Sequence, residues 1–404
     1  MKPLEGIKVV ELSTFVAAPT AGRLLADLGA EVIKIEPEKG DSWRNSGVGY
    51  RPAKFSKDHN PIFDLYNSGK RLASLNLKDE DGKEALMELL GKADVFLTNN
   101  RPASLKKMGL DYESLKDRFP TLIYAVVLGF GEKGPIADAV AFDTTAFWGR
   151  NGFLRDMPVK NEGYEPMNPP SSVGDSTTGY LMVGEICAAL FNRTRTGKGD
   201  YVKATLYHAG AFCMGTMIAQ AQGDDGRRLP FRRTDFGVPG GAYRTQDDEW
   251  IYLGIGNGAV NIPRYHEIIG RPDLSTDPRY QPPERWKNRD EYYEIFKEAF
   301  AQKPIEYWQQ KAIEYDVPMT RLNHFEDVTT DEQAWVNGFV EKIEYPNGKT
   351  DVMPTTPIEM DTVGVTTTRP VAPVGTDTAA VLRELGYSEE KIAAMLAAGA
   401  AFGG

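Results

Sequence analysis

IKVVELSTFVAAPTAGRLLADLGAEVIKIE, residues 7–36, reads as strand, helix, strand, and that reading decides the class of the fold. Its two ends, IKVVEL and EVIKIE, are short and β-branched, as a buried strand requires. Between them, APTAGRLLADLGA places Leu24, Leu25 and Leu28 on one helical stripe, with Gly29 as a stop. Outward from this unit, short apolar runs recur at LASLNL (72–77), ADVFLTN (93–99) and LIYAVVLGF (122–130). Helical patterns lie between them, at KEALMELLGK (83–92) and LKKMGLDYESLKDRF (105–119). Strands alternating with helices predict an α/β fold with a parallel sheet covered on both faces.

Residues 175–195 predict a long helix, followed by the turn RTGKGD and the strand YVKATLY. Residues 221–245 change character: GDDGRRLPFRRTDFGVPGGAYRT is rich in Gly, Arg and Pro and reads as mobile loop. EWIYLGIG then reads as a strand, and helical segments continue to about residue 315 as a separate, smaller block. The tail TDTAAVLRELGYSEEKIAAMLAAGA is one or two amphipathic helices. A chain of 404 residues exceeds the ~250–300 that one core supports, so two domains are expected.

Apolar residues make up 41% and charged residues 26% of the chain, the balance of an ordinary globular protein. A net charge of −10, from 47 Lys and Arg against 57 Asp and Glu, disfavours nucleic acid, which needs a basic field. It leaves room for an anionic small ligand, since a few lysines can be concentrated at one site. No membrane-length apolar run and no signal-peptide core are present, and the two cysteines, Cys187 and Cys213, lie in apolar segments. A cytoplasmic enzyme is the expectation.

Several motifs can be set aside. Glu36 ends the second strand where a ribose-binding acid would lie, but STFVAAPTAG lacks the glycines that let backbone approach a pyrophosphate. TGKGD lacks the Walker spacing, and no G-x-S-x-G elbow is present. His59, His208, His266 and His324 are scattered without metal-ligand spacing, so no metal is expected.

One acid stands out. Asp175, in SSVGDSTTGYLMVGEICAAL, precedes a long apolar helix. By position alone it reads as a helix N-cap, a role contributing about 1 kcal/mol, or as a carboxylate doing chemistry.

Taken in order, several segments resemble the class III (family III) CoA-transferases of the CaiB/BaiF type. They are LEGIKVVELSTFVAAPTAGRLLADLGAEVIKIEPEKGD (4–41), NSGKRLASLNLK (67–78), ADVFLTNNRPASLKKMGL (93–110), GFGEKGP (129–135), FDTTAFWGRNG (142–152), GDSTTGYLMVGEICAALFNRTRTGKGDYVKATL (174–206) and APVGTDTAAVLRELGYSEEKI. DEQAWVNGF and GTMIAQAQ resemble the clostridial members acting on 2-hydroxy acids such as phenyllactate and 2-hydroxyisocaproate.

The resemblance implies a Rossmann-like large domain, residues 1–225 with 330–404 returning to it. A smaller inserted α/β domain, 226–329 with linkers, and an interlocked homodimer complete the picture. It implies transfer of CoA from an acyl-CoA to a free carboxylic acid, with a CoA thioester as substrate and no resident cofactor. Asp175 on the Gly-Asp motif would be the nucleophile, passing through aspartyl anhydride and aspartyl-CoA thioester. Gly174 would remove a side chain where the thioester approaches, and the helix N-terminus would keep Asp175 ionised and receive an oxyanion.

Matched positions imply CoA contacts at Val16, Ala17, Lys39, Arg44, Leu75, Lys78, Asn99, Asn100 and Lys107. At Lys107 a lysine stands where the formyl-CoA enzyme carries arginine. The alternative for each lysine is a surface charge. Asp143 would sit beside Asp175, or would cap the helix before TTAFW. Gly240 and Gly241, in GVPGG, match a loop that shields the intermediate from water. Phe15, Trp43, Tyr50, Phe147 and Trp148 would line an acyl pocket or belong to the core. An α-methylacyl-CoA racemase is the alternative, but there the residue before the matching Asp is a His, and here it is Phe142, which cannot move a proton.

Overall fold

The structure is a computed structural model that describes residues 1–46, 55–56, 59–157, 168–223, 233–364 and 366–403. The chain divides into two compact units. The larger comprises Met1–Asn151, Pro169–Ala219 and Asp331–Gly404, and the smaller comprises Gly152–Asn168 and Gln220–Thr330.

The larger unit is built on a seven-stranded sheet. Its parallel strands are β1 (Lys8–Leu12), β2 (Glu31–Glu36), β3 (Arg71–Leu75), β4 (Val95–Thr98), β5 (Ile123–Leu128) and β6 (Tyr201–Thr205). They lie in the order β3-β2-β1-β4-β5-β6, and Ala401–Phe402 adds an antiparallel strand outside β3. Alternate residues feed the two faces, as a pleated strand demands. Val9, Val32, Val95 and Ile123 pack under the helices Ala17–Asp27 and Val173–Thr196. Val10, Ile33, Phe96 and Tyr124 pack under Glu80–Lys92 and the C-terminal helices Thr378–Leu385 and Glu389–Ala398.

Strand order reverses between β1 and β4, so the crevice over their carboxyl ends is where ligands collect in open parallel sheets. Asn99, just past β4, bridges it. Its amide accepts from the Thr14 N–H at 3.0 Å and donates to the Thr14 carbonyl at 2.6 Å.

The helix Val173–Thr196 has 24 residues and so spans roughly 36 Å, about twice the length of these strands. Its end lies at the amino edge of the sheet, where Gly199 backs onto the Leu122 carbonyl. Gly179 packs against Thr20 and the Ala17 carbonyl, at the start of the first helix. The first turn of the long helix therefore stands above the carboxyl edge, and Asp175 is in that turn.

The smaller unit has an antiparallel sheet of Gly241–Arg244, Trp250–Leu253 and Met319–Arg321. GAYR is thus a strand rather than loop, with Tyr243 pointing inward. Around it lie the helices Gly258–Ile268, Arg289–Phe300 and Ile305–Glu314, over a core of Tyr243, Tyr265, Tyr280, Tyr292, Phe296, Phe300 and Trp308. Most of the remaining Arg- and Gly-rich loop, residues 224–232, lies outside the described residues, as does Tyr50. Among the described residues no helix is long and apolar enough to cross a membrane.

Candidate active site

Asp175 is the third residue of its helix, which begins at Val173 after Ser172. The expectation that Asp175 precedes the helix is corrected: Ser172 occupies the N-cap position, and the Ser176 N–H donates to the Ser172 carbonyl at 2.9 Å. The Asp175 side chain is therefore not the cap and is left half-buried. Burial, and after it the charge of Asp143, pushes its carboxyl up to about 7. Desolvation and the neighbouring like charge both disfavour the ionised form.

Asp143 opens a single turn of π-helix, Asp143–Trp148, and is buried beside that first turn. Burial raises its pKa, while the N–H groups of Ser172, Gly174 and Asp175 and the Trp148 indole favour its charge. The structure thus brings the two acids together.

Gly174 has a different explanation from the expected one. A Cβ there would lie 2.2 Å from an Asp143 oxygen and 2.3 Å from the Phe147 ring. The space is filled by this protein's own side chains, so the glycine admits the Asp143 turn against the long helix. Phe147 and Trp148 are core, 2% and 7% exposed. Tyr66, on the helix Pro61–Asn67, was not legible as a site residue. Burial raises its pKa, its hydroxyl hydrogen-bonds to Ser176 and Ser172, and the Asp175 charge acts on it. With Ser176 and Tyr180 it lines a pocket of about 410 Å³.

The expected CoA contacts all fall on the carboxyl edge or on segments leaving it, but in unequal states. Val16 and Ala17, after β1, are buried at the start of the first helix, and Val16 caps it by position only. Lys39, Lys78 and Lys107 are exposed. Asn100 is half-buried, and its N–H donates to Thr98 Oγ1 at 3.1 Å. Leu75 is buried, 3% exposed, and paired with Ala401 of the C-terminal strand.

Arg44 is held by groups of the protein itself. It grips Glu36 through Nε at 3.0 Å and Nη2 at 3.0 Å, donates to the Ala372 carbonyl, and lies 4.3 Å over the Phe63 ring. The pair joins the guanidinium expected at a phosphate to the acid that ends β2. Lys39 and Arg44 line a cleft of about 1030 Å³ with His59, Phe63, Tyr345 and Val371, and no other expected CoA contact is among its lining residues.

Gly240 and Gly241 belong to the smaller unit. Gly240 packs on Ile255, and Gly241 opens the strand Gly241–Arg244 with φ of 131°. Both glycines are thus accounted for locally. Among the described residues no cluster of three or more His, Cys, Asp or Glu is arranged to hold a metal ion.

A Rossmann-type order of parallel strands, with two acids at a helix N-terminus over the carboxyl edge, defines the class as an α/β protein with a large parallel sheet. The particular family follows from comparison. Residues 4–378 match CoA-transferase family III, and the chain belongs to that family. It is 39% identical over 392 residues to (R)-2-hydroxy-4-methylpentanoate CoA-transferase of Clostridioides difficile, covering 96% of this chain and 97% of that one. Identity to cinnamoyl-CoA:phenyllactate CoA-transferase of Clostridium sporogenes is 37%, covering 96% and 94%. A crystal structure of a CAIB/BAIF family protein from Brucella suis superposes with a TM-score of 0.79 at 27% identity, covering 95% of this chain and 99% of that one.

Proposed function

We propose that this CoA-transferase moves CoA from an acyl-CoA to a free 2-hydroxy acid with a branched or aryl side chain, using Asp175 as nucleophile. The observation that carries the reading is the half-buried Asp175 carboxyl, set against Asp143 on the first turn of its helix and titrating near neutrality. Desolvation leaves a carboxylate less solvated and more nucleophilic than in water. The named acids of the two clostridial relatives support the acceptor class.

In the proposed sequence, an Asp175 oxygen attacks the thioester carbonyl, and the C–S bond breaks to release CoA thiolate and leave a mixed anhydride. The thiolate attacks the Asp175 carbonyl, expelling the donor acid as its carboxylate and forming aspartyl-CoA thioester. The acceptor carboxylate then attacks that carbonyl, releasing thiolate again and forming a second anhydride. Attack of the thiolate on the acceptor's acyl carbon gives the new acyl-CoA and returns Asp175 free. Covalent catalysis divides one difficult exchange into four acyl transfers, and electrons and protons balance without a resident cofactor.

In the same reading, the larger unit is the CoA-binding domain, with Val16 and Ala17 backbone beside the pantetheine and Lys39, Lys78 and Lys107 beside the phosphates. Two chains interlock as a homodimer in the cytoplasm. The test is mass spectrometry of the protein incubated with acyl-CoA and no acceptor. A CoA adduct mapping to the peptide that contains Asp175 is the expected result, and its absence with exchange intact rejects the mechanism.

A further inference from the structure

The loop after β1 is held far more firmly than a short connection needs. Phe15 has φ of 62°, in the left-handed region that strains a bulky side chain and persists only where its surroundings enforce it. Asp41, 3% exposed, enforces it. Its Oδ1 accepts from Thr14 Oγ1 at 2.5 Å, from the Phe15 N–H at 3.2 Å and from the Trp43 N–H at 2.9 Å. Its Oδ2 faces Lys34 Nζ at 3.0 Å.

Lys34 is wholly buried and also meets Glu11 Oε1 at 3.0 Å and donates to the Ser13 carbonyl at 3.1 Å. Lys70 closes on Glu11 at 2.8 Å and donates to the Pro19 carbonyl at 2.9 Å. The first helix lies directly on this cluster, since a Cβ at Gly22 would sit 1.8 Å from Glu11 Oε2.

Four enclosed charges are an indirect route to stability, because an apolar set of the same volume does as well or better. What charges supply is direction, through hydrogen bonds that an apolar set lacks. Here the direction is given to Phe15. Its ring meets Trp43 at 5.9 Å and Phe142 edge-on at 5.5 Å. Phe142 is 49% exposed, and the next residue is Asp143, whose carboxylate lies against Gly174.

We propose that the buried Glu11–Lys34–Asp41 chain is a positioning device for Phe15, and that the rings of Phe15, Trp43 and Phe142 form the wall that favours aryl over small acceptor acids at Asp175. Phe15 is the specificity residue, and Thr14, Lys34 and Asp41 are positioning residues. The proposal rests on the reading of Asp175 given above.

The experiment measures kcat/KM for 3-phenyllactate and for lactate with one acyl-CoA donor, and takes their ratio. The two acceptors share the 2-hydroxy carboxylate and differ in the ring. Phe15→Gly removes the ring and relieves the left-handed strain, so loss of fold does not confuse the reading. Its ratio falls about tenfold, the size of a lost aromatic contact. Thr14→Val removes one donor to Asp41 and lowers the ratio about fivefold, while Thr14→Ser, which restores the hydroxyl, keeps it. An unmoved ratio in Phe15→Gly, or a ratio in Thr14→Val equal to that in Thr14→Ser, overturns the proposal. Asp175→Ala assayed beside them separates the two failures. Exchange persisting there overturns the nucleophile reading and this proposal with it, whereas exchange lost there with unmoved ratios overturns the wall alone.

Discussion

The two units solve the same problem of filling an interior with different chemistry. In the larger unit Glu11, Lys34, Lys70 and Asp41 are enclosed together beneath the first helix, at the carboxyl edge of the sheet. In the smaller unit the interior is a stack of rings, Tyr243, Tyr293, Phe296, Phe300 and Trp308. Its buried His266 lies between Ser275 Oγ at 2.7 Å and Tyr292 OH at 2.5 Å, and burial drives its pKa down to about 4. Rings supply area and tolerate many neighbours, whereas charges demand partners at set distances. The contrast teaches where geometry matters: charges are enclosed at the edge that bears the candidate site, and rings where packing suffices.

The largest effect expected is at Asp175. Asp175→Ala lowers exchange between an acyl-CoA and a labelled acid about 10⁴-fold or more, the scale of a lost covalent nucleophile, with the unfolding midpoint preserved. Near-parental exchange removes the functional side of the comparison altogether.

Next come two interior deletions, one in each unit. Lys34→Met leaves Glu11 and Asp41 without a shared partner and costs about 3–5 kcal/mol. Phe296→Ala opens a ring-sized cavity and costs about 3–5 kcal/mol. Denaturant unfolding measures both. The contrast breaks if Lys34→Met proves harmless, because the enclosed charges then constrain nothing.

A smaller effect separates the units by pH. His266 has a folded pKa of about 4 against an ordinary value of 6.5, so on acidification the unfolded chain takes up its proton first. The stability that neutral His266 contributes is complete above pH 6.5 and is lost as pH falls toward 4, a loss on the order of 3 kcal/mol. Thermal unfolding across that range measures it, and His266→Gln flattens the dependence.

The finest test concerns the paired acids. Asp175 must be ionised to attack, so the exchange rate rises with pH through about 7 in the parent protein. Asp143→Asn removes the like charge, and the same limb moves to lower pH. It stays above the ordinary carboxylate range, because burial is the larger cause. A limb unmoved by Asp143→Asn means that Asp143 serves the packing against Gly174 and not the titration of Asp175.

Much of this was legible in residue order. The strand–helix–strand of residues 7–36 and the later strands depend on local pattern, and local pattern is what a sequence displays. Other features were hidden by equally physical causes. The hold of Glu36 on Arg44, eight residues away, is not visible in the spacing. The C-terminal strand beside Leu75 comes from more than 300 residues further along the chain. Tyr66 carries no motif, and it reaches the Asp175 turn because the helix Pro61–Asn67 packs beside the first helix.

The sequence by itself determined the alternation of strands and helices and the apolar faces, because each is written in spacing along the chain, whereas the role proposed for Asp175 rests on the resemblance to the family. Only the tertiary structure decided which charges meet. Glu11 and Lys34 are 23 residues apart and become cross-strand neighbours through the register of β1 on β2. Asp143 meets Asp175 because Gly174 leaves room for it. Electrostatics depends on distance through space, and distance through space is what the folded chain supplies.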